Sequence, residues 1–473
     1  MMALPTYSGE TAIFGLGRSG LAAVAALKAA GNPVVAWDDA EAPRQAAADL
    51  GADIRDLTQD FGAAERLIVS PGVPLTHPAP HQLILAAQAA GAEILGDMDL
   101  FADALAHGGL RDSVTLIGIT GTNGKSTTTA LVSHMLSCAG HNTHQGGNIG
   151  TPVLDLRLEA GATYVLELSS YQLDLNRRFA VDIGVWLNLT PDHLERHGDM
   201  AGYAAAKANL FADGKAQKAR IIGIDDDYGR ALADKLSKQT SPLITIGAQN
   251  ADMIYLANAI EITQPKKDIM SLADCAALPG AHNAQNAAAA FAVGQVLGVP
   301  TARIIDAFRS FGGMAHRLQV IAEHAAVTFV NDSKATNMEA TRHALAAYNN
   351  IYWIAGGRAK TDAAGHLGLD MLSPYFGNIR GAYLIGEAAN LFAENLADRL
   401  PTTLCGTLDR AVADAAFQAK SDHFDTSIVL LSPACASFDQ YSDFEARGDA
   451  FCAAVADWIS AEHELSGKAE GAQ

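Results

Sequence analysis

A glycine-rich turn between an apolar strand and a helix constrains this chain more than any other feature of its sequence. The turn, Gly118-Ile-Thr-Gly-Thr-Asn-Gly-Lys-Ser-Thr127, overlaps the apolar run Val114–Ile119 and precedes a predicted helix at Thr128–Ser137. Glycines allow backbone N–H groups to face a phosphate, and the N-terminus of a helix favours negative charge. Apart from residue 119, which is Ile, the segment fits the phosphate-loop pattern G-x-x-x-x-G-K-S/T. We therefore predict a nucleoside triphosphate site, against the alternative of a helix N-terminus in which Gly-Lys-Ser occurs by chance.

The residues of this turn take distinct roles in a phosphate loop. Lys125 is expected to reach the β- and γ-phosphate oxygens, and the Ser126 hydroxyl is expected to bind Mg²⁺. The backbone N–H groups that would surround the phosphates belong to Gly121, Thr122, Asn123, Gly124, Lys125, Ser126 and Thr127. The turn thus predicts a site for a magnesium-bound nucleotide.

Three further side chains follow predicted strands or lie in a predicted helix of the same region. Glu167 lies near the end of the apolar strand Tyr164–Leu168, where an unpaired charge is costly, so we expect its carboxylate to hold a cation. His193 follows the strand Ile183–Leu187, and a loop histidine and a ligand are equally good interpretations. Lys207 lies in a helical segment, and the sequence alone favours a solvated lysine there.

Two asparagines, Asn283 and Asn286, stand before an Ala-rich helix predicted to extend to Leu297. Amide side chains at such a position either cap the helix or contact the edge of an adenine ring. The sequence leaves both alternatives open.

Strand-like runs alternate with helical segments along the chain, which predicts parallel sheets covered by helices. A Gly-rich polar patch at residues 107–112 and a break at Phe311-Gly312-Gly313 divide the sequence into three parts. The predicted α/β fold therefore has a Rossmann-like N-terminal domain (1–110), a central domain of the P-loop ATPase type (111–313) and a Rossmann-like C-terminal domain (314–473). The predicted strands lie at 11–14, 33–37, 67–69, 93–95, 114–119, 164–168, 183–187, 221–224, 327–330, 352–355, 382–385 and 428–431.

The overall charge excludes some classes of function. With 33 Lys and Arg against 52 Asp and Glu, the formal net charge of −19 argues against broad binding of nucleic acid or anionic membranes. Five cysteines without a C-x-x-C pair fit a reducing compartment. The N-terminal residues lack the pattern of a signal peptide, and no apolar run approaches the about 18 residues of a membrane span. We expect a cytoplasmic protein with no nucleic-acid partner and no membrane span.

A second glycine turn, Gly15-Leu-Gly-Arg-Ser-Gly20, follows the strand at 11–14 and opens a helix. Asp38 lies eighteen residues beyond Gly20, as in a dinucleotide-binding fingerprint. The glycines favour a pyrophosphate at the helix N-terminus, but a nicotinamide dinucleotide and another nucleoside diphosphate place the same group there. An NAD-dependent oxidoreductase is therefore an open alternative at this point.

Motifs spread over nearly all 473 residues resemble those of the Mur ligase family, which also includes folylpolyglutamate synthases. They occur in one order along the chain, as Gly121–Thr127, Glu167–Ser170, Asn188–His193, Tyr203–Lys207, His282-Asn283 with Asn286, His316-Arg317, Asp332–Asn337 and Ser432–Gln440. One such motif can arise by chance, whereas the whole series in order does not. The segments Glu167–Leu173, Asp332–Asn337 and Ser432–Gln440 resemble the glutamate-adding branch of the family in particular.

The resemblance implies a reaction. ATP would phosphorylate the alanine carboxylate of UDP-N-acetylmuramoyl-L-alanine, and the amine of D-glutamate would displace phosphate from the acyl phosphate, in the synthesis of peptidoglycan precursors. Two Mg²⁺ ions would offset the charge of a γ-phosphate that meets a carboxylate. The alternatives are a sibling ligase for another amino acid, including L-glutamate, a folylpolyglutamate-type ligase, and, from another class, the NAD-dependent oxidoreductase or an NTPase that is not a ligase. We expect the chain to act as a monomer.

The resemblance also implies roles for individual residues, with a catalytic set of Lys125, Glu167, His193 and Lys207. The Mg²⁺ ligands would be Ser126, Glu167, His193 and Lys207, the last as a carbamate formed with CO₂. Beyond the phosphate loop, ATP would contact Asn283, Asn286, Arg317 and Asp332. The UDP-linked substrate would contact Gly17, Arg18, Ser19, Gly20, Asp38, Ser70, Pro71, Gly72, Asn148 and His193. Glutamate would contact Lys334, Thr336, Lys360, Ser437, Phe438 and Phe444.

One difference from the family pattern lies beside Asp38. Asp39 and Ala40 occupy positions where the family has a small hydroxyl residue and an arginine. Additional negative charge near a diphosphate weakens binding, because like charges repel. We therefore predict that Arg18 or Arg44 compensates for the missing arginine.

Overall fold

The computed structural model describes residues 2–212, 216–256, 259–262, 268–275, 277–278, 280–359 and 367–470. In these residues the strands form three sheets, and the chain divides into two compact units, Met1–Phe311 and Gly312–Gln473. The first unit contains two of the sheets and the second unit contains the third. The predicted α/β class is confirmed, whereas the division of the first unit at residue 110 stays a prediction.

The first sheet is built from the N-terminal hundred residues. Its elements are β1 (Thr11–Phe14), α1 (Arg18–Ala29), β2 (Val34–Trp37), α2 (Glu41–Asp49), β3 (Asp53–Ile54), β4 (Arg66–Val69), α3 (Gln82–Ala90), β5 (Glu93–Leu95) and α4 (Asp97–His107). The strands are parallel in the order β3-β2-β1-β4-β5. Because the chain leaves β1 on one side and returns to β4 on the other, the carboxyl end of β1 is a switch point, where open α/β sheets bind ligands.

The second sheet occupies the rest of the first unit. Its elements are β6 (Thr115–Thr120), α5 (Lys125–Cys138), β7 (Thr143–Gly147), β8 (Thr163–Glu167), α6 (Ser170–Leu175), β9 (Ile183–Trp186), α7 (Leu194–His197), α8 (Met200–Ala208), β10 (Ala219–Gly223), α9 (Asp227–Leu236), β11 (Leu243–Gly247), β12 (Met253–Leu256), β13 (Ala259–Ile262), β14 (Asp268–Ser271), α10 (Gly280–Val296) and α11 (Thr301–Ser310), with short 3-10 helices at Val153–Asp155 and Asn209–Phe211. The strand order is β14-β13-β12-β11-β10-β9-β6-β8-β7. Pairing is parallel from β7 to β12 and antiparallel along β12, β13 and β14.

The third sheet forms the second unit. Its elements are β15 (Gln319–His324), β16 (Val327–Asn331), α12 (Met338–Ala347), β17 (Ile351–Gly356), a 3-10 helix (Leu369–Asn378), β18 (Ile379–Ile385), α13 (Ala389–Leu396), β19 (Thr402–Gly406), α14 (Leu408–Ser421), β20 (Ser427–Leu431) and α15 (Phe444–Glu470). The order is β15-β16-β20-β17-β18-β19, parallel except for the antiparallel pair β15 and β16. Among the described helices of the whole chain, none has both the length and the apolar composition needed to cross a membrane.

Helix α4 joins the first sheet to the second within the first unit. Phe101 of this helix packs edge-on against Tyr164 of β8, with ring centroids 5.6 Å apart, and both rings belong to one continuous apolar core. The buried carboxylate of Asp99 accepts hydrogen bonds from the backbone N–H groups of Arg177 and Arg178 at 2.9 and 2.7 Å. These contacts fix the loops of the first sheet relative to those of the second.

Candidate active site

The turn after β6 contains two glycines whose backbone conformations other residues rarely adopt. Gly121 has a φ of +152° and Gly124 a φ of +82°. A Cβ atom at Gly124 would also collide with Oδ1 of Asn286. Helix α5 begins directly afterwards at Lys125, so the N–H groups of its first turn, which have no acceptor within the helix, lie at the loop. The arrangement is that of an anion site at a helix N-terminus.

Asn188, which follows β9, holds this turn in place. Its backbone oxygen accepts a hydrogen bond from the N–H of Thr122 at 2.9 Å, and its Oδ1 accepts one from the N–H of Asn123 at 2.9 Å. Its Nδ2 donates to Oε1 of Gln285 on α10 at 2.9 Å. No role for Asn188 or Gln285 was predicted from sequence, although Asn188 stands directly after the predicted apolar strand Ile183–Leu187.

The side chain of Lys125 folds back over the turn. Its Nζ donates to the backbone oxygens of Gly121 and Thr122 at 3.0 and 2.8 Å. Ser126 and Thr127 follow in the first turn of α5, and both are half-buried. The ammonium therefore lies above the loop, where the oxygens of a bound triphosphate would meet it.

Glu167 ends β8, next to the strand that carries the phosphate loop. β6 and β8 are neighbouring parallel strands, with Ile119 opposite Glu167. Glu167 is only 2% exposed. Asn148 donates its backbone N–H to the backbone oxygen of Glu167 at 2.8 Å and its Nδ2 to Oε1 at 3.2 Å. A buried carboxylate bound by a neutral amide keeps acceptor capacity for a cation, since an amide does not neutralise its charge.

Lys207 on α8 is buried, so the solvated lysine that the sequence alone favours is wrong. Lys207 is only 1% exposed to solvent. Its Nζ points inward and donates to the backbone oxygen of Gly121 at 2.8 Å and to Oγ1 of Thr120 at 3.4 Å. The ammonium also lies 4.8 Å from the centroid of the Tyr203 ring. Burial, with a smaller contribution from the charge of Lys125, lowers the pKa of Lys207 to about 7. Near neutral pH a large fraction of this amine is therefore uncharged.

His193 immediately precedes α7 and has a left-handed backbone, with a φ of +54°. Its Nδ1 lies 3.0 Å from the hydroxyl oxygen of Tyr171, and its Nε2 lies 3.4 Å from Oδ2 of Asp192. The side chain of His193 is 44% exposed. The imidazole is thus anchored on one side and accessible to a ligand.

The described residues contain no group of three or more His, Cys, Asp or Glu side chains that could hold a metal ion by themselves. The predicted Mg²⁺ ligands instead combine a hydroxyl, a carboxylate, an imidazole and an amine, on Ser126, Glu167, His193 and Lys207. The charge of Glu167 acts on Lys207, since it opposes the fall of the lysine pKa. A carbamate on Lys207 would add a second anion to this region. Mg²⁺ binds one or two carboxylates together with waters and substrate phosphates, so the residues present fit the ion.

Asn283 and Asn286 lie within α10, which begins at Gly280. The alternative in which they cap this helix is therefore wrong, because the helix begins earlier than the sequence predicts. Oδ1 of Asn286 accepts a hydrogen bond from Oγ1 of Thr128 at 3.2 Å, and its Nδ2 donates to Oδ1 of Asn283 at 3.2 Å. Asn286 thus joins α10 to α5 beneath the phosphate loop, and the adenine contact stays a prediction.

The glycine turn of the first sheet is held by Asp38 and Ser70. The carboxylate of Asp38 accepts hydrogen bonds from the N–H groups of Leu16 and Ala40 at 2.7 and 2.9 Å. The hydroxyl of Ser70 donates to the backbone oxygen of Gly15 at 2.7 Å. Gly17 is the N-cap residue of α1. Pro71 and Gly72 lie in a turn closed by a hydrogen bond of 3.0 Å from the N–H of residue 73 to the backbone oxygen of residue 70. The structure therefore brings together, at one end of the sheet, the predicted UDP-binding residues that follow β1, β2 and β4.

Two of the predicted UDP-binding residues connect this turn to the second sheet. The guanidinium of Arg18 donates to the backbone oxygen of Gly150, in the loop that also carries Asn148. Ser19 hydrogen-bonds the carboxylate of Asp97, which is buried and whose pKa is raised chiefly by that burial. The turn after β1 and the loop after β7 therefore line the same region.

Arg44 lies against the segment that differs from the family pattern. Its Nη1 donates to the backbone oxygens of Asp38 and Asp39 at 2.7 and 2.9 Å. Its guanidinium also stacks on Trp37, 4.5 Å from the ring centroid. A positive charge thus accompanies Asp39, and compensation by Arg44 or Arg18 stays a prediction.

In the second unit, Asp332 follows β16 and is 4% exposed. Its carboxylate accepts hydrogen bonds from the hydroxyl of Ser432 at 2.8 Å and from the N–H of Leu318 at 3.2 Å. Burial raises the pKa of Asp332 to about 7, although these hydrogen bonds and the nearby charge of Arg317 act in the opposite direction. Arg317 itself is exposed.

The described glutamate-binding candidates lie in the loop after β16, in the loop after β20 and at the first residue of α15. Nζ of Lys334 lies 5.8 Å from the ring centroid of Phe444, and the N–H of Thr336 donates to the backbone oxygen of Lys334 at 2.8 Å. Ser437 is buried, whereas Phe438 is 63% exposed. The remaining predicted residue, Lys360, lies outside the described residues.

A buried arginine on α15, Arg447, ties these two loops together. It donates to the hydroxyl and backbone oxygens of Ser333 at 3.0 and 2.8 Å, and to the backbone oxygen of Cys435 at 3.1 Å. Burial lowers the pKa of Arg447 to about 10. Its role was not predicted, because nothing in the sequence separates this arginine from a solvated one.

Fold and site together define a nucleotide-binding α/β protein with a phosphate loop, a buried carboxylate and a buried lysine at the carboxyl edge of one sheet. Residues 119–294 match the Mur ligase middle domain, and residues 9–96 match the Mur ligase MurD-like, N-terminal domain. The chain belongs to the Mur ligase family. The match at residues 9–96 includes the first glycine turn, and the ligand of that turn stays a prediction.

Similar proteins cover almost the whole chain. A UDP-N-acetylmuramoylalanine--D-glutamate ligase from Caulobacter sp. (strain K31) is 45% identical over 464 residues, which are 96% of this chain and 98% of that protein. The protein of the same name from Rhizobium etli is 47% identical over 94% of each chain. Among solved structures, a UDP-N-acetylmuramate-alanine ligase from Thermotoga maritima aligns over 96% of this chain and 100% of its own, with a TM-score of 0.55 and 16% identity. At that identity the structural likeness supports the fold alone.

Proposed function

We propose that this chain is an ATP-dependent ligase that joins D-glutamate to the alanine carboxylate of UDP-N-acetylmuramoyl-L-alanine and releases ADP and phosphate. The names of relatives that it matches over nearly their full length support the substrates. The observation that carries the proposal is the juxtaposition of a phosphate loop with Lys125, the buried Glu167 and the buried Lys207. A site that only hydrolysed a nucleotide would not require a buried amine beside the loop.

The phosphate loop would bind ATP through its backbone and Lys125. The N–H groups at the start of α5 would face the phosphates, and the ammonium of Lys125 would exchange its hydrogen bonds to the loop for stronger ones to charged oxygens. Asn188 would keep the loop in this conformation, because it holds both Thr122 and Asn123.

Lys207 would act as a carbamate. The nitrogen of its neutral amine forms a bond to the carbon of CO₂ and releases one proton. The lysine side chain, a cation when protonated, thereby becomes an anion. The lowered pKa of about 7 makes the neutral amine available near neutral pH. Bound Mg²⁺ would offset the negative charge of the triphosphate and of the acceptor carboxylate. The residues that would hold Mg²⁺ are Ser126, Glu167, His193 and the carbamate of Lys207.

Bond formation would proceed in two steps that the chain supports by positioning. An oxygen of the alanine carboxylate attacks the γ-phosphorus, and the bond to the leaving ADP oxygen breaks. The amine of D-glutamate then attacks the acyl carbon, phosphate leaves, and the nitrogen loses a proton. Lys334, beside Phe444, and Ser437 would supply a cation and a hydroxyl to the two carboxylates of glutamate.

The proposed setting is the cytoplasm, where nucleotide-linked precursors and ATP are available, and the proposed active form is a monomer. We propose that the reaction serves peptidoglycan precursor synthesis, and the muramoyl-alanine substrate in the relatives' names supports this. Sedimentation of the purified chain tests the oligomeric state.

The decisive experiment measures ADP release with UDP-N-acetylmuramoyl-L-alanine, Mg-ATP and a panel of amino acids that includes both enantiomers of glutamate. We expect ADP release that depends on both the UDP-linked acid and D-glutamate, and a loss of at least about a hundredfold in Lys125→Ala. Lys235→Ala, an exposed lysine of α9, is the matched control and should keep the parental rate. ADP release without an amino acid would indicate a nucleotidase instead, preference for L-glutamate a sibling ligase, and a nicotinamide absorbance band an oxidoreductase.

A further inference from the structure

The hydroxyl of Tyr171 meets the imidazole of His193 in a contact that none of the roles above uses. The hydroxyl oxygen lies 3.0 Å from Nδ1, and the ring centroids are 5.0 Å apart. Tyr171 lies in α6, close after Glu167, whereas His193 follows β9. The contact therefore links two segments that each carry a predicted Mg²⁺ ligand.

The backbones at both ends of this contact are fixed. Helix α6 begins with a capping box in which Ser169 and Gln172 exchange hydrogen bonds between side chain and backbone. The backbone oxygen of His193 accepts hydrogen bonds from the N–H groups of Arg196 and His197 at 3.0 and 3.3 Å, which hold its left-handed conformation. Side-chain rotation is thus the principal freedom left to the imidazole.

Arg196 holds the ring of Tyr171 in place from another direction. Its guanidinium lies 5.4 Å from the ring centroid of Tyr171 and is buried. One of its nitrogens donates to the backbone oxygen of Val73 at 2.9 Å, and another lies 3.6 Å from the carboxylate of Asp174. Val73 closes the Ser70–Gly72 turn, so the same arginine anchors Tyr171 to the predicted UDP-binding loop.

The hydrogen-bond partner at Nδ1 determines the direction in which Nε2 of His193 points. The two ring nitrogens point to different sides of the imidazole, so a hydroxyl at Nδ1 directs Nε2 toward Asp192 and the open side of the site. In metal and substrate sites, the partner of the second nitrogen orients a histidine and selects its tautomer. Without that partner, a side chain as exposed as His193 would sample several rotamers.

We propose that Tyr171 is a positioning residue that orients His193 toward the UDP-linked acid and Mg²⁺, a proposal that rests on the proposed ligase function. Its hydroxyl fixes the imidazole, and Arg196 fixes the ring of Tyr171. The effect passes through His193 alone, so it disappears when His193 is absent.

The test is the substitution Tyr171→Phe, which removes one oxygen and keeps the ring that Arg196 contacts. We expect kcat/KM for the UDP-linked acid to fall about fivefold, the usual effect of losing one side-chain hydrogen bond, with KM for ATP unchanged. In a His193→Ala background the same substitution should have no further effect. The control Tyr352→Phe removes a buried hydroxyl that donates to Asp422 in the second unit, and it should keep the parental kcat/KM.

Two kinetic outcomes overturn the proposal: an unchanged kcat/KM in Tyr171→Phe, or effects of Tyr171→Phe and His193→Ala that simply add. A readout independent of turnover is the ¹⁵N spectrum of histidine-labelled protein, with the His193 resonances assigned from His193→Ala. Loss of the hydroxyl should shift the Nδ1 resonance of His193, and an unchanged resonance would contradict the contact whatever the chain catalyses. Absence of ADP release by the parental chain would instead refute the proposed function.

Discussion

Lys207 and Lys125 donate to the same acceptor, the backbone oxygen of Gly121, at 2.8 and 3.0 Å. Two cations that share one oxygen repel each other, and this repulsion adds to burial in lowering the pKa of Lys207 to about 7. The phosphate loop therefore has a direct part in making the buried amine neutral. Either lysine can be removed without leaving that oxygen unpaired.

Lys207→Met should separate the stability of the fold from its activity. The unfolded lysine has a pKa of 10.5 and the folded one about 7, so burial costs stability in full below pH 7, and the cost vanishes as the pH rises to 10.5. In CO₂-depleted buffer the methionine variant should melt at a higher temperature than the parent, with the largest difference at pH 6 and a small one at pH 10. Ligase activity should be lost at every pH, because methionine forms no carbamate. A parental rate, or a difference in melting temperature that grows with pH, would contradict this account.

Gly124→Ala and Gly161→Ala test the close approach of the phosphate loop to α10. Both glycines are left-handed, with φ of +82° and +77°, but a Cβ at Gly161 meets nothing, whereas one at Gly124 collides with Asn286. Each substitution should destabilise the fold by about 1 kcal/mol through backbone strain. Only Gly124→Ala should also lower kcat/KM for ATP, on the order of a hundredfold, because the loop must shift by about 1 Å. Equal ATP kinetics in the two variants would show that the loop tolerates the side chain.

The sequence predicts the interior strands of each sheet better than the edge strands. β1 lies at Thr11–Phe14, as predicted, because a parallel strand buried on both faces is a continuous apolar run. β7, β15 and β19 lie at sheet edges and were not predicted, because half-exposed strands carry polar residues, as in the Thr-His-Gln-Gly-Gly of β7. The antiparallel extension from β12 to β14 was missed for a related reason, since its segments are short and partly exposed.

The same distinction between local and long-range information applies to the candidate site. The phosphate loop is local, since its glycines, lysine and helix start within a few residues, and it was predicted from sequence alone. The burial of Lys207 depends on α8 packing beside Gly121, eighty-six residues earlier in the chain, and no short pattern contains that information. The same holds for Asn188, whose contacts reach Asn123 and Gln285.

Asp332→Asn should remove a pH-dependent cost in the second unit. The folded carboxyl has a pKa of about 7, raised from 3.8, so the cost of burying its charge is absent below pH 3.8 and complete above pH 7. The asparagine variant should therefore gain melting temperature over the parent at pH 8 and not at pH 4, because its oxygen can still accept from Leu318 while Ser432 turns its hydroxyl to Thr341. If Asp332 contacts ATP as predicted, KM for ATP should rise about tenfold. Thermal scans at both pH values and ATP titrations check the two effects. A stability gain confined to pH 4 would contradict a raised pKa of Asp332.

Arg44→Ala should weaken binding of the UDP-linked substrate more than Arg18→Ala. Arg44 binds the backbone oxygens of both Asp38 and Asp39, so its removal leaves the charge of Asp39 uncompensated beside the glycine turn, whereas Arg18 contacts the loop of the second sheet through Gly150. We expect KM for the UDP-linked substrate to rise about fivefold in Arg44→Ala. In Arg44→Lys, which keeps the charge, KM should stay close to the parental value. Adding Asp39→Ser to Arg44→Ala should return KM to the parental value, because the uncompensated charge is removed. KM for ATP should stay constant throughout. If neither Arg18→Ala nor Arg44→Ala changes KM for the UDP-linked substrate, Asp39 lies too far from the diphosphate for its charge to matter, and compensation by arginine is wrong.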